Sequence, residues 1–171
     1  VLELENIHKS YGENHVFNGA NLLVERGERM ALVGPNGVGK STLMRLLSES
    51  EEVDSGKLRL GHNVKTGYFS QDRYDLDEER TVLENMTDGA PTEMIPRLRS
   101  LLGAFLFHGD DVDKKVRVLS GGEKSRLALA RMLLRPANVL LLDEPSNHLD
   151  LDSKEVLLDA LRAYKGTLVF V

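Results

Sequence analysis

The chain has 171 residues, enough for one domain with a substantial core and too few for two comfortable ones. Apolar residues make up 41% and charged residues 29%, and the net charge of −5 excludes the global basic field that marks many nucleic-acid binders. The absence of cysteine excludes disulfides and thiolate metal sites, in keeping with a reducing compartment, and no apolar stretch approaches the length of a membrane span.

In chain order, the opening "VLELENIHKSYG" places apolar residues at Leu2, Leu4 and Ile7, the pattern of a strand with one solvated face. "NLLVERGERMALVG" predicts two strands joined by a turn at Arg26–Gly27, the second, Arg29–Val33, buried. A glycine-rich loop, "GPNGVGKS", then opens a helix with Leu43, Leu46 and Leu47 on one face. Turn residues at Ser55–Gly56 and at Gly61 separate short strand-like runs.

From Asp72 to about Arg135 the pattern is helical and more charged. Candidate helices are "DEERTVLENM", "EMIPRLRSLLGAFLF" (kinked or started at Pro96) and "GGEKSRLALARMLLR", periodic through Leu127, Ala130 and Leu134 and stopped by Pro136. A buried strand at Val139–Leu142, a helix over about 152–164 and a final strand after Gly166 complete the chain. The expected class is α/β: a mixed sheet core with an N-terminal antiparallel part and an inserted α-helical subdomain. The core would span about 1–71 and 136–171, and the helical subdomain about 72–135.

Gly34 to Ser41 fits the pattern G-x-x-x-x-G-K-[ST], with a predicted strand before it and a predicted helix after it. The bland alternative, a glycine-rich turn with a surface lysine, does not require that context. In the phosphate-loop reading, the backbone of Gly34, Pro35, Asn36, Gly37, Val38 and Gly39 onward to Thr42 would surround one anion with its N–H groups (Pro35 itself has no N–H). Lys40 would reach the terminal phosphates of a nucleoside triphosphate, and the Ser41 hydroxyl would hold Mg²⁺.

A magnesium–triphosphate complex needs a carboxylate near the metal and a group that positions the attacking water. "LLLDEPSNHLD" supplies both at the end of a buried strand: Asp143 for Mg²⁺, and Glu144 as general base or water-orienting group. Their other reading, as helix caps or solvated acids, loses weight beside the phosphate loop.

"LSGGE" (Leu119–Glu123), "YFSQD" and "SNHLD" (Ser146–Asp150) take the sequence further, because together they resemble the ATP-binding cassette (ABC) ATPases over almost the whole chain and in the expected order. The resemblance implies a P-loop fold of the ABC type that binds ATP and Mg²⁺. It places Gln71 as a metal-contacting and catalytic glutamine, and Tyr11 under the adenine. It makes Ser146–Asp150 the segment that runs along the interface with a second cassette, and His148 a residue of that segment. Ser120, Gly121 and Gly122 form a second anion site that would close over ATP held by the facing cassette, in a head-to-tail arrangement within one parent chain or a self-dimer. Ser120 as N-cap with Glu123 at the third helical position accounts for the same letters, and both roles are expected together.

Asn147-His148-Leu149-Asp150 is similar to the ABC-F branch, which pairs two cassettes in one chain without a transmembrane domain and acts on the ribosome (rRNA and tRNA) in translation. Ser146 stands where that branch usually has threonine, and a hydroxyl is retained. The short gap from Gln71 to Ser120 resembles a C-terminal cassette. The sequence is expected to be a piece of such a protein, a single partial cassette truncated before the switch histidine. Hydrolysis by the isolated piece is expected to be weak or absent. A cytoplasmic location and no membrane partner follow from the same resemblance.

A nucleotide-binding subunit of a membrane transporter is the competing function. It would need an apolar groove after Gln71, where "DRYDLDEERTVLEN" is acidic instead. DNA-repair and chromosome ATPases of this superfamily separate the phosphate loop from the signature by very long insertions, which this spacing excludes. The basic residues Lys124, Arg126, Arg131 and Arg135 read as a solvated helix surface, not as an RNA patch.

Overall fold

The computed structural model describes residues 2–70, 75–147 and 149–171. Along the chain the elements are β1 (Leu2–Tyr11), β2 (Asn14–Val24), β3 (Arg29–Ala31), α1 (Lys40–Leu47), β4 (Ser55–Leu60), β5 (Thr66–Ser70), α2 (Val82–Thr87), α3 (Leu98–Ala104), α4 (Gly121–Leu134), β6 (Val139–Asp143), α5 (Leu151–Ala163) and β7 (Thr167–Phe170). Turns of 3₁₀ helix occupy Thr92–Arg97, Gly109–Asp113 and Val116–Val118. No helix among the described residues is long and apolar enough to cross a membrane.

Two compact units emerge. The first joins Val1–Tyr68, Ala137–Glu144 and Lys165–Val171. Its antiparallel sheet has the order β2-β1-β4, and a second sheet has the order β3-β7-β6-β5, with β3–β7 and β6–β7 parallel. Alternation along β1 would turn Ile7 away from Leu2 and Leu4. A bulge at Asn6, whose φ is 49°, resets the parity, so all three side chains are buried. They pack with Val24, Met44, Leu46, Leu47, Val139, Leu141 and Val169 in one apolar core.

Three sequence expectations change here. Ser55–Gly56 is the start of β4, not a turn. Gly56 has φ 101°, and a side chain there would collide with the Asn6 carbonyl, so its glycine serves the close approach of β4 to the β1 bulge. The strand expected to be buried at Arg29–Val33 ends at Ala31, with Arg29 and Ala31 exposed; β3 lies at the edge of its sheet, and Val33, beyond the strand, is 93% exposed. In α1, Met44 joins Leu46 and Leu47 as fully buried, whereas Leu43 is only partly so.

The second unit joins Phe69–Pro136 with Pro145–Tyr164. Helix does not begin at Asp77 as the charge pattern predicts. Buried Asn85 donates to the carbonyls of Asp77 (2.9 Å) and Thr81 (3.0 Å) and accepts from the Asp77 N–H (2.8 Å), which holds 77–81 in a loop. Thr81 then caps α2, accepting from the Glu84 N–H at 3.1 Å while Glu84 accepts from the Thr81 N–H at 2.7 Å.

Pro96 falls inside the Thr92–Arg97 turn, and regular helix resumes only at Leu98. The region 136–171 was expected whole within the core, but Pro145–Tyr164 groups with the helices. Within that unit Arg126 of α4 donates to Ser153 Oγ of α5 at 2.7 Å and to Asp150 Oδ2 at 3.5 Å.

Candidate functional site

The phosphate loop is built by backbone that only glycine adopts easily. Gly37 has φ 81° and Gly39 has φ 103°. A side chain at Gly39 would also lie 2.5 Å from Val16 Cγ1 and 3.1 Å from Phe17 Cζ. Gly39 occupies the N-cap of α1 with no side-chain capping bond. The N–H groups of the first helical turn have no intrahelical acceptor, and they carry the positive end of the helix dipole.

Lys40 folds back over this turn and donates to the carbonyls of Gly34 (2.8 Å) and Pro35 (2.9 Å), which uses two of its three donors and fixes the ammonium against the loop. Pro35, Asn36 and Val38 are exposed at its rim, as is Ser41. The Thr42 side chain turns inward, 6% exposed, and accepts from Arg45 at 3.2 Å, so only its backbone faces the loop's chemistry.

In the same unit, every residue of β6 is buried, and the strand ends on Asp143, 7% exposed. Among the described residues, Asp143 Oδ1 has no hydrogen-bond partner. A buried, unpaired carboxylate oxygen is costly unless a cation or donor meets it, so the group fits a divalent ion. No cluster of three acidic or histidine side chains suited to a metal occurs among the described residues, so an ion at Asp143 would need oxygens beyond protein carboxylates, such as a hydroxyl and those of a bound ligand. Glu144 follows with φ 48°, a left-handed conformation unusual for a residue with a side chain, and this strain coincides with the residue expected to act on water. Gln71, expected to contact metal and water, lies outside the described residues, as does His148.

Tyr11 ends β1 and is 44% exposed. Its hydroxyl donates to Glu51 and accepts from Arg45 at 3.2 Å. Sequence reasoning missed these partners. The signal that points to them is generic: a tyrosine hydroxyl near protein seeks a partner. Burial pushes the Glu51 carboxyl up, but donors from Tyr11, Arg45 and Lys9 outweigh it and hold the group at about 2.

The second unit carries Ser120 to Glu123. Ser120 is the N-cap of α4; its Oγ accepts from the Glu123 N–H at 3.3 Å, and the Glu123 carboxylate accepts from the Ser120 N–H and hydroxyl, both at 2.7 Å. These Ser120 donors hold the Glu123 carboxyl below its usual range. Gly121 is exposed, and a side chain there would meet nothing within 4 Å. Farther along this unit, Ser146 and Asn147 are exposed and Leu149 is buried. Asp150 caps α5 by accepting from the Ser153 N–H at 2.8 Å.

Residues 17–147 match the family model described as ABC transporter. The chain is 49% identical over its whole length to the Putative ATP-binding protein YdiF of Bacillus subtilis (strain 168), covering 27% of that protein. It is 43% identical to ABC transporter F family member 2 of Arabidopsis thaliana, covering all of this chain and 26% of that one. The chain thus spans about a quarter of the length of these relatives. Among solved structures, the dimeric structure of MJ0796, a bacterial ABC transporter cassette, superposes with a TM-score of 0.83 at 25% identity, covering all of this chain and 88% of that one.

Proposed function

This chain belongs to the ABC transporter family of ATP-binding cassettes, and from that premise we propose that it is an ATPase cassette of a cytoplasmic ABC-F protein acting on the ribosome in translation. The observation that carries the ATPase part is the buried Oδ1 of Asp143, unpartnered among the described residues, in the unit that also holds the phosphate loop. The ABC-F part draws support from "SNHLD" and from relatives that bear the F-family name.

The roles in this reading combine the geometry of the described groups with the family resemblance. The α1 N-terminus and Lys40 hold the phosphates, and Gly37 and Gly39 let the backbone approach them. Asp143 and Ser41 would hold Mg²⁺, which, when bound, neutralises charge developing on the phosphates. Glu144 accepts the proton of the attacking water, and Gln71 assists in positioning it. Tyr11 carries the adenine. Ser120, Gly121 and Gly122 face the ATP of a second cassette, arranged head to tail, and Ser146–Asp150 lie along that interface.

The test uses the whole protein that carries this cassette, with Glu144→Gln. Loss of the base is expected to slow hydrolysis about 10²- to 10⁴-fold while ATP still binds. The trapped protein, sedimented with purified ribosomes, is expected to co-sediment only with ATP present. ATP binding without co-sedimentation would replace the ribosome reading with that of a transporter subunit. Hydrolysis at the parental rate would remove Glu144 as the base.

A further inference from the structure

Tyr11 is not a lone ring at a strand end. Glu51 Oε1 accepts from its hydroxyl and from Lys9 Nζ (3.0 Å), while Glu51 Oε2 accepts from Arg45 Nε (2.8 Å). Arg45 Nη2 donates both to the Tyr11 hydroxyl and to Thr42 Oγ1, each at 3.2 Å. Lys9 is in turn fixed by the Glu52 carbonyl (2.8 Å) and Asp54 (3.3 Å), and its ammonium lies 5.4 Å from the centre of the Tyr11 ring. The Glu51 side chain is 18% exposed, and the Arg45 side chain 40%.

The connectivity has a consequence for a nucleotide. Thr42 and Arg45 belong to α1, whose N-terminus receives the phosphates, and Tyr11 belongs to β1. Glu51 is the group that both share. A tyrosine hydroxyl bound on one side only can swing about its side-chain torsions. Here it donates to one partner and accepts from another, and both are anchored to the same helix or to each other. We propose that Glu51 is the positioning residue for the nucleoside end of the site, holding the Tyr11 ring at a set distance from the phosphate loop so that it receives the base. This rests on the nucleotide reading above and extends it to a residue outside every motif of the sequence.

Glu51 acts through Tyr11, so its effect must fall on the base and not on the phosphates. The experiment compares binding of Mg-ATP and of Mg-tripolyphosphate, which lacks the nucleoside, to the chain by calorimetry. The variants are Tyr11→Ala, Tyr11→Phe and Glu51→Ala, with each fold checked by circular dichroism and thermal melting.

Tyr11→Ala is expected to weaken ATP roughly 10- to 100-fold, the scale of one aromatic stack. Tyr11→Phe keeps the ring and cuts the tether, so it and Glu51→Ala should each weaken ATP by about fivefold to tenfold. The double variant should lose little more than either single one, because both cut the same bond. Tripolyphosphate affinity should stay within about twofold throughout.

Four outcomes overturn the proposal. In the first, Glu51→Ala or Tyr11→Phe binds ATP like the parent. In the second, Glu51→Ala lowers ATP and tripolyphosphate alike, which makes Glu51 a structural brace for α1. In the third, Tyr11→Ala leaves ATP unaffected, which removes the ring as a platform and spares the phosphate reading. In the fourth, the parent binds neither ligand, and the nucleotide reading falls with the proposal. Should Glu51→Ala not fold, Tyr11→Phe alone decides.

Discussion

Two helices in this chain begin on glycine-containing turns that the sequence marks for an anion, α1 after Gly39 and α4 after Ser120. At α1 the cap is a left-handed glycine with no side-chain bond, and the Lys40 ammonium is held against the loop. At α4 a serine–glutamate capping box satisfies the N–H groups of Ser120 and Glu123 and places a carboxylate in the first turn. A helix N-terminus is a full anion site only where side chains leave its donors open. α1 is built for that. α4 is built first to be a stable helix start, with the backbone of exposed Gly121 and half-buried Gly122 as its remaining surface for an anion.

The sharpest way to break this contrast is to remove one lysine from each helix. Lys40→Ala is expected to weaken Mg-ATP binding by about 100-fold, since charge-assisted bonds to phosphate are lost. Lys124→Ala, whose ammonium is paired with Glu78 at 2.6 Å, should change it less than about twofold. Titration calorimetry reads both, and similar losses would mean that α4 also holds ATP bound by its own chain.

Next in size is the backbone. Gly39→Ala combines a positive φ with a side-chain collision and should destabilise the chain by about 2–3 kcal/mol. Gly121→Ala meets nothing and should stay within about 0.5 kcal/mol of the parent. Urea unfolding measures the two on one scale. Equal costs would show that the glycines of the second turn are conformationally required as well.

Ser120→Ala removes the cap of α4 and should cost about 1 kcal/mol, read as a fall in Tm of about 2–4 °C. α1 has no capping side chain to lose, so no substitution of that kind is available there.

The smallest effect is a pH dependence. The Glu123 carboxyl is held below its unfolded value, so its contribution to stability is complete above the ordinary glutamate range and is lost as pH falls through that range and below it. The stability gap between the parent and Glu123→Gln should therefore be constant near neutrality and narrow on acidification. A gap that widened toward low pH would reverse the sign assigned to the Ser120–Glu123 pair.

What could be read ahead of the structure divides along similar lines. The phosphate loop was legible because its chemistry is local: Gly34 to Ser41 specify their own turn, and the flanking apolar runs specify strand and helix. The capping box at Ser120 was legible for the same reason, since N-cap and third helical residue are neighbours in sequence. The buried character of Arg29–Val33 was misread. An apolar run reports strand and hydrophobicity, but its place at a sheet edge is decided by which other strands pair with it. Ser55–Gly56 looked like a turn by composition, yet its glycine answers a carbonyl at Asn6, far away in sequence.

By itself, the sequence determined the α/β class, most of the elements and the phosphate loop, because each depends on periodicity or on neighbours within a few residues; the remaining cassette residues were legible only through the family resemblance of their motifs. Only the tertiary structure decided that Asp143 carries a buried oxygen without a partner among the described residues, that Glu144 adopts a left-handed backbone, and that Glu51 joins Tyr11 to Arg45. Those facts depend on burial and on pairings between distant segments. A one-dimensional pattern records which groups are present, whereas desolvation and hydrogen bonding depend on which groups meet.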